Sequence, residues 1–434
     1  MIGQTTSSSG NTCGINLMID SFTSESAAEH EIRLLIPAVD VPDPELSIVI
    51  PALNEDRTIG EFVDWCKEGL SRINLRGEIL IVDSSSDKTA EIALAKGARV
   101  LKTARRGLGR AYIDAIPYIR GKYTILGDAD LTYDFRKLEP FVEQFRRGSE
   151  YIMGSRFKGS IEKGSMPALH RYFGTPLTTW ILNILYGSSF SDIHCGMRGV
   201  TRDALQRMEL RSQSWQYASE MIIKSVHLGL RTSEVPVTFY KDVKGRQSHH
   251  RRIGWWSPWL AGWISIQAMF IWGADFFLIR PGILLLLLGG IGVGALFNGP
   301  VQIGSIGFSL HWMLLFLMFC LVGLQLFLMG ILARIVYGYG DREKPWQIVF
   351  RFNLAVAISS ALLMAGILSM LPLAREYTLY NYRLPSGPTT ASFQAVGGVG
   401  MVLWSFIHFT FSMVYNAVRL SALRGKAVAK VHNR

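Results

Sequence analysis

Three acidic groups sit where chemistry could be done: Pro51-Ala-Leu-Asn-Glu55, Asp83-Ser-Ser-Ser-Asp87 and Asp128-Ala-Asp130. Each follows a short apolar run of the kind that forms a buried β-strand. Two carboxylates one residue apart offer hard oxygen donors, and Mg²⁺ or Mn²⁺ held by them would bridge protein to phosphate oxygens. We read Asp128 and Asp130 as such a pair. A lone Asp-x-Asp is weak, because it arises by chance and often caps a helix; its place at a strand end gives it weight. Asp87 reads as a helix N-cap. Asp83 is open to two readings, an Asx-turn residue or a ligand contact.

The elements that must position these residues alternate along the chain. Leu46–Pro51, Glu78–Asp83, Arg99–Leu101, Tyr123–Asp128 and Tyr151–Gly154 read as strands. Between them, Thr58–Leu70 has helical spacing, with Ile59, Phe62, Val63 and Cys66 on one face, and helices are expected from Asp87 to Lys96 and after Gly109. Strands alternating with helices predict an α/β domain with a mostly parallel sheet. Ligands of such sheets bind at the carboxyl ends of the strands, so the fold would gather all three acidic groups on one edge.

Composition places the rest. Of the 434 residues, 49% are hydrophobic and only 18% charged, against roughly 25% charged in soluble domains. The deficit is local: no Asp, Glu, Lys or Arg occurs from Pro281 to Ala333, a run long enough for two membrane spans, with Asn298-Gly-Pro300 marking the turn between them. Two further apolar runs follow, and four transmembrane helices are expected near 281–298, 308–332, 352–373 and 394–417. Arg334, Arg342, Lys344 and Arg351 in one loop, and Arg419, Arg424, Lys426, Lys430 and Arg434 in the tail, put both termini in the cytoplasm by the positive-inside rule. Ile253–Ala274 is uncharged too, but Trp255, Trp256, Trp259, Trp263 and Trp272 suit the headgroup level, so it is read as interfacial helices on the cytoplasmic leaflet. The net charge of +11 follows from this topology and from an anionic ligand, with no nucleic acid required. Cys13, Cys66, Cys195 and Cys320 form no disulfide framework or zinc spacing.

The expected organisation is therefore 1–44 as an extension without order, 45–245 as the α/β domain, 246–280 as amphipathic interfacial helices, 281–420 as four membrane helices and 421–434 as a basic cytoplasmic tail. This describes a multi-pass protein of the cell (inner) membrane.

In its motifs the chain resembles the family 2 glycosyltransferases of the GT-A fold, and within them the polyprenyl-phosphate group of dolichyl-phosphate mannose and glucose synthases. PALNE at 51–55, IVDSSSDKT at 81–89, RGLGRA at 106–111, LGDADLTYDF at 126–135, GSRF at 154–157, HRYFGT at 170–175, DIHCGMRG at 192–199 and SEM at 219–221 recur in order. The resemblance implies a Rossmann-like GT-A catalytic domain followed by interfacial and transmembrane helices. It implies that Pro51, Leu53, Glu55, Asp83 and the Asp128-Ala129-Asp130 segment contact a nucleotide-sugar donor, with Asp128 and Asp130 carrying Mg²⁺ or Mn²⁺ on its diphosphate. Arg156 and Arg171 would meet the phosphate of a polyprenyl acceptor, and Lys244 or Arg246 the donor phosphates. Many members place Gln where this chain has Thr132, so water or the diphosphate would complete the metal shell.

A lipid phosphate is already an anion near neutral pH and can attack without a general base. Accordingly, His170 and His194 are expected to be structural. The implied reaction moves glucose or mannose to polyprenyl phosphate with inversion. One rival is a processive polysaccharide synthase, whose Gln-x-x-Arg-Trp motif this sequence lacks. The other is a non-enzymatic transport or flippase partner, for which spans without Lys, Arg, Asp or Glu make a poor pathway.

Overall fold

The computed structural model describes residues 32–242, 267, 269–270, 272–337, 344–383 and 386–432. The chain divides into two compact units. The first takes in residues up to 179, 190–221 and 230–261; the second takes in 180–189, 222–229 and 262–434.

The first unit is built on eight strands, β1 (Arg33–Leu35), β2 (Leu46–Ala52), β3 (Gly77–Asp83), β4 (Arg99–Lys102), β5 (Tyr123–Leu126), β6 (Tyr151–Ile161), β7 (Arg198–Thr201) and β8 (Thr232–Phe239), in the sheet order β1-β4-β3-β2-β5-β7-β6-β8. Its centre, β2 (Leu46–Ala52), pairs in parallel with β3 (Gly77–Asp83) on one side and β5 (Tyr123–Leu126) on the other, and β3 pairs in parallel with β4 (Arg99–Lys102). Leu46, Ile48, Val49, Ile50, Leu80 and Ile81 are wholly buried, because helices cover both faces of a parallel sheet. The helix α1 (Ile59–Ile73) buries Ile59, Phe62, Val63, Cys66 and Leu70, and ends on Asn74 in the left-handed conformation, a common helix stop. Next comes α2 (Thr89–Ala95), followed by α3 (Leu108–Ala115) and α4 (Glu139–Arg146).

Three strands depart from the sequence expectation. Arg33–Leu35 forms the edge strand β1, antiparallel to β4, inside the stretch expected to lack order; residues 1–31 lie outside the described residues. The four-residue β7 (Arg198–Thr201) inserts antiparallel between β5 and β6 (Tyr151–Ile161). The last, β8 (Thr232–Phe239), pairs in parallel with β6. The sheet is thus parallel around the acidic loops and mixed beyond β5.

At the amino ends of the strands a buried ion network closes the layer. The Glu78 carboxylate accepts bonds from Ser47 Oγ (2.6 Å), Arg99 Nη1 (2.7 Å) and Arg120 Nε (2.7 Å), and Arg120 also forks onto Asp40. Burial alone would raise the Glu78 carboxyl, but these donors outweigh it and hold it below its ordinary value. Asp40 also falls inside the 1–44 stretch, so residues 33–40 are pinned and not loose.

In the second unit four helices are long and apolar enough to cross a bilayer: Asp275–Leu296, Leu310–Tyr337, Phe352–Leu379 and Thr390–Ser421. Asp275–Ile279, expected in the interfacial stretch, is the first turn of the first of these helices. A hairpin of Val301–Ile303 and Ile306–Phe308 joins the first two. Glycines set the close approaches: a Cβ on Gly366 would lie 2.7 Å from the Gly398 carbonyl, and one on Gly289 would lie 2.3 Å from Cys320 N. Small residues let membrane helices meet at their backbones. Ser359 Oγ and His408 Nδ1 share a hydrogen bond of 3.0 Å, and Ser405 donates to the Ser359 carbonyl at 2.7 Å. These polar contacts tie the last two helices together. Residues 243–266, which hold most of the expected interfacial tryptophans, lie outside the described residues, as do the side chains of the expected basic tail from 422 onward.

Candidate active site

The register of the sheet brings the acidic loops side by side. Ala52 faces Asp83 across the β2–β3 pair, and Val49 faces Leu126 across β2–β5. The loops after β2 and β3 are laced together: Asn54 N donates to Ser85 Oγ (2.7 Å), Ser86 N to Asn54 Oδ1 (3.1 Å), and Glu55 N to Thr89 Oγ1 (2.9 Å). Asn54 takes a left-handed backbone with φ of 57°, which asparagine tolerates. Pro51 and Leu53 are half-buried at this edge. Glu55 is buried and accepts from Thr58 Oγ1 at 3.1 Å.

Asp83 makes the contact of an Asx turn. Ser85 N donates to its Oδ1 (3.2 Å), Lys102 Nζ donates to its Oδ2 (2.7 Å), and the residue is wholly buried. Asp87 Oδ1 accepts from Thr89 N at 3.0 Å at the mouth of α2. Asp87 thus bonds the first residue of the helix from two positions ahead of it, while the N-cap position itself is Lys88 and not the expected Asp87.

Asp128 and Asp130 follow β5 and are half-buried, with Ala129 buried between them. The backbone then turns through Leu131, which is buried and has φ of 61°. A left-handed, branched, buried residue stores strain of the sort found at ligand sites. Thr132 fixes the second carboxylate through its N–H (3.1 Å) and its hydroxyl (2.5 Å), both to Asp130 Oδ1. The first carboxylate lies against Gly196, where a Cβ would sit 2.3 Å from Asp128 Oδ2. Gly196 N–H in turn donates to the Tyr133 hydroxyl at 2.8 Å, and burial holds that hydroxyl far above its ordinary pKa. Among the described residues no three His, Cys, Asp or Glu cluster as metal ligands. Asp128 and Asp130 thus offer a two-carboxylate site, of a donor chemistry that fits Mg²⁺ or Mn²⁺ with phosphate or water in the remaining positions.

The basic residues occupy β6, β7 and the connections between them. Arg156 on β6 is buried and forks onto Asp192, Nε to Oδ2 at 2.7 Å and Nη2 to Oδ1 at 2.8 Å. Its expected phosphate contact would therefore have to coexist with, or exchange for, this pair. Arg198, wholly buried, gives its guanidinium to the carbonyls of Cys195 (3.0 Å), Ala218 (2.7 Å) and Ile193 (3.1 Å). It thereby rivets the 192–199 loop that carries Gly196. His194 shares a 2.8 Å hydrogen bond with Thr178 Oγ1. Burial and the nearby Arg156 charge push its pKa down to about 4, and the same two causes lower His170. Both imidazoles are neutral at pH 7. Burial also lifts the Cys195 thiol to about 12, which removes it as a nucleophile.

Arg171 is half-buried on a wide turn, His170–Gly174, that leads into α5 (Thr175–Tyr186), and its guanidinium carbon is 5.5 Å from the Tyr172 ring centre. Lys244 and Arg246 lie outside the described residues. The sequence marked Thr132 only as a departure at a Gln position and not as the anchor of Asp130, and it did not single out Tyr133, Lys102, Asp192 and Gly196. The signal for the last two was present in the DIHCGMRG run, whose role becomes visible only when the loop folds back on Asp128.

The model of the family described as Glycosyl transferase family 2 matches residues 47–208. The low-salt glycan biosynthesis hexosyltransferase Agl6 of Haloferax volcanii is 33% identical over 385 residues, covering 86% of this chain and 91% of its own length. The dolichyl-phosphate hexose transferase of the same organism is 28% identical over 198 residues, which cover 45% of this chain and 82% of that protein. Among solved structures, mannosyl-3-phosphoglycerate synthase from Rubrobacter xylanophilus aligns with a TM-score of 0.41 and 22% identity, covering 52% of this chain and 74% of that one.

Proposed function

The chain belongs to glycosyl transferase family 2, and from that premise we propose that it transfers a hexose, glucose or mannose, from a nucleotide-sugar to polyprenyl phosphate with inversion. The observation that carries this reading is a half-open carboxylate pair on a strand edge, in a chain that also holds four bilayer-length apolar helices. The name of the Haloferax dolichyl-phosphate hexose transferase supports a lipid phosphate as acceptor.

In this reading the PALNE and DSSSD loops receive the nucleotide, with Pro51, Leu53, Glu55 and Asp83 forming the floor. Asp128 and Asp130 would hold Mg²⁺ or Mn²⁺, which when bound neutralises charge on the donor diphosphate and its leaving group. Thr132 and Gly196 fix the two carboxylates in place. An oxygen of the acceptor phosphate forms the new bond to the anomeric carbon as the bond to the diphosphate breaks, and the nucleoside diphosphate leaves with the electron pair. No proton need be removed from the attacking oxygen, so this reading assigns no general base; His194, buried, bonded to Thr178 Oγ1 and depressed to a pKa of about 4, would be a poor one. Arg171, on its wide turn, would gather the acceptor phosphate; Arg156, held by Asp192, would add positive potential behind it. Arg246 or Lys244 would meet the donor phosphates. The distribution of Lys and Arg supports a cytoplasmic catalytic domain and cytoplasmic termini at the cell membrane.

The test is lipid-linked product formation by membranes given a radiolabelled nucleotide-sugar and polyprenyl phosphate. Asp130→Asn should abolish transfer while the protein still inserts and keeps its melting temperature, and chelation should abolish wild-type transfer reversibly. Near-normal transfer by Asp130→Asn would refute the assignment.

A further inference from the structure

Asp134 is a carboxylate that the proposed reaction does not use. It is buried, four residues beyond Asp130. Arg136 donates to its Oδ1 from the backbone N–H at 3.2 Å and from Nε at 2.7 Å, and the Tyr240 hydroxyl donates to its Oδ2 at 2.9 Å. So engaged, Asp134 serves as an anchor inside the protein.

Tyr240 follows the last residue of β8 and reaches the loop after β5 twice. Its N–H donates to the Thr132 carbonyl at 2.8 Å, and its hydroxyl takes Asp134. Between these two bonds, Tyr133 pairs antiparallel with Phe239, their ring centres 5.2 Å apart. Trp65 of α1 forms the other flank. The Arg136 guanidinium carbon lies 4.2 Å from its ring centre, and the Tyr240 ring meets it edge-on at 6.2 Å. Residues 132–136 are thereby clasped between α1 and the end of β8.

The clasp matters because of what precedes it. Thr132 aims Asp130 through its N–H and its hydroxyl, and such bonds orient a carboxylate only as far as their donor is itself fixed. Leu131 gives no help, since its left-handed backbone (φ of 61°) is strained and persists only where its surroundings hold it. The backbone bond from residue 240 is one that any residue except proline could make. The hydroxyl bond to Asp134 is the part that tyrosine adds.

We propose that Tyr240 is a positioning residue for the carboxylate pair: its hydroxyl, bonded to Asp134, locks Thr132 so that Asp130 meets a divalent cation already aimed. The proposal rests on the reading of Asp128 and Asp130 as the metal-holding pair. Groups that orient a metal ligand set affinity by about 10–100-fold, and the lower end is expected here because Tyr240 acts through Thr132. The cost in stability should be small, because Tyr240 and Trp65 are half-buried and the Arg136 side chain is 30% exposed.

The full-length protein in detergent micelles tests it, with Mn²⁺ binding followed by electron paramagnetic resonance, alone and with UDP or GDP present. Tyr240→Phe removes only the hydroxyl, and Asp134→Asn keeps the size of its partner. Tyr118→Phe, whose carbonyl accepts from Arg99 in the Glu78 network at the other ends of the strands, is the control. Both clasp variants should raise the Kd for Mn²⁺ about tenfold, with the melting temperature near that of wild type. Tyr118→Phe should leave the Kd unchanged. Tyr240→Phe should cost less in a Thr132→Val background than alone, since both changes act on one carboxylate. A Kd within about twofold of wild type in either clasp variant that keeps its fold would overturn the proposal. So would an equal rise in Tyr118→Phe, or losses that multiply fully in the double variant. Wild type that binds no Mn²⁺ under any of these conditions would overturn the metal reading itself, and the proposal with it.

Discussion

Replacing Gly196 by alanine puts a methyl carbon 2.3 Å from Asp128 Oδ2 and 3.1 Å from Tyr133 Cε2. Real Cβ contacts essentially never fall under 3.0 Å and ordinary contact begins at 3.4 Å, so something must retreat by at least about 0.7 Å, and by about 1.1 Å to reach van der Waals separation. The loop has little freedom to do so, because Arg198 holds its carbonyls on one side and Tyr133 accepts the Gly196 N–H on the other. The carboxylate is the part that gives. Displacing a catalytic group by about 1 Å costs roughly 100-fold in rate, which corresponds to about 2.7 kcal/mol in the barrier. If Asp128 holds the metal as proposed, Gly196→Ala should therefore lower lipid-linked product formation by about 100-fold at limiting Mn²⁺, with partial recovery at excess metal, because the displaced carboxylate is a proposed metal ligand. The melting temperature should change little. Initial rates across a Mn²⁺ titration, with direct Mn²⁺ binding followed by electron paramagnetic resonance, would check it. A rate within about twofold of wild type at limiting metal, with unaltered binding, would refute the role given to this contact.

Three further outcomes are expected. Because the folded pKa of His194 is depressed to about 4, its contribution is intact above the ordinary histidine value and is lost as pH falls from about 6.5 towards 4; His194→Gln should flatten the fall in melting temperature over that window. Glu78→Gln leaves Arg99 and Arg120 facing a neutral group in a buried site and should cost about 3–5 kcal/mol, read by denaturant unfolding of the detergent-solubilised protein, with no change in KM for donor. Gly366→Leu should drive the last two membrane helices apart, costing about 1–3 kcal/mol of resistance to detergent unfolding, since its side chain would collide with the Gly398 carbonyl.

The parts legible from sequence were those governed by local pattern. The runs Leu46–Pro51 and Glu78–Asp83 announce strands because both faces of a parallel sheet are buried, and the charge-free stretches announce membrane helices because lipid admits little else. What escaped was governed by long-range pairing. Arg198–Thr201 is too short to show a period, and becomes a strand only through ladders with β5 and β6. Arg33–Leu35 is ordered by β4, which comes much later in the chain. Asp128 and Asp130 were readable as a pair at a strand end, and the fold places them just after β5. The Asp192 partner of Arg156 is 36 residues away, and no local rule points from one to the other. Asp83 was readable as an acid but not as one already engaged by Lys102.

The division of the chain has a consequence for its synthesis. Residues 180–189 and 222–229 are delivered with the catalytic domain, yet they pack with the segment that begins at 262. Tyr186 meets a carbonyl 83 residues further on, and Lys224 lies over the ring of Trp272. At translation rates of about 5–20 residues per second, Tyr186 waits roughly 4–17 s for its partner to leave the ribosome. Those two stretches thus meet their packing partners only after the segment from 262 has emerged, and a polypeptide cut at residue 261 would carry them without it.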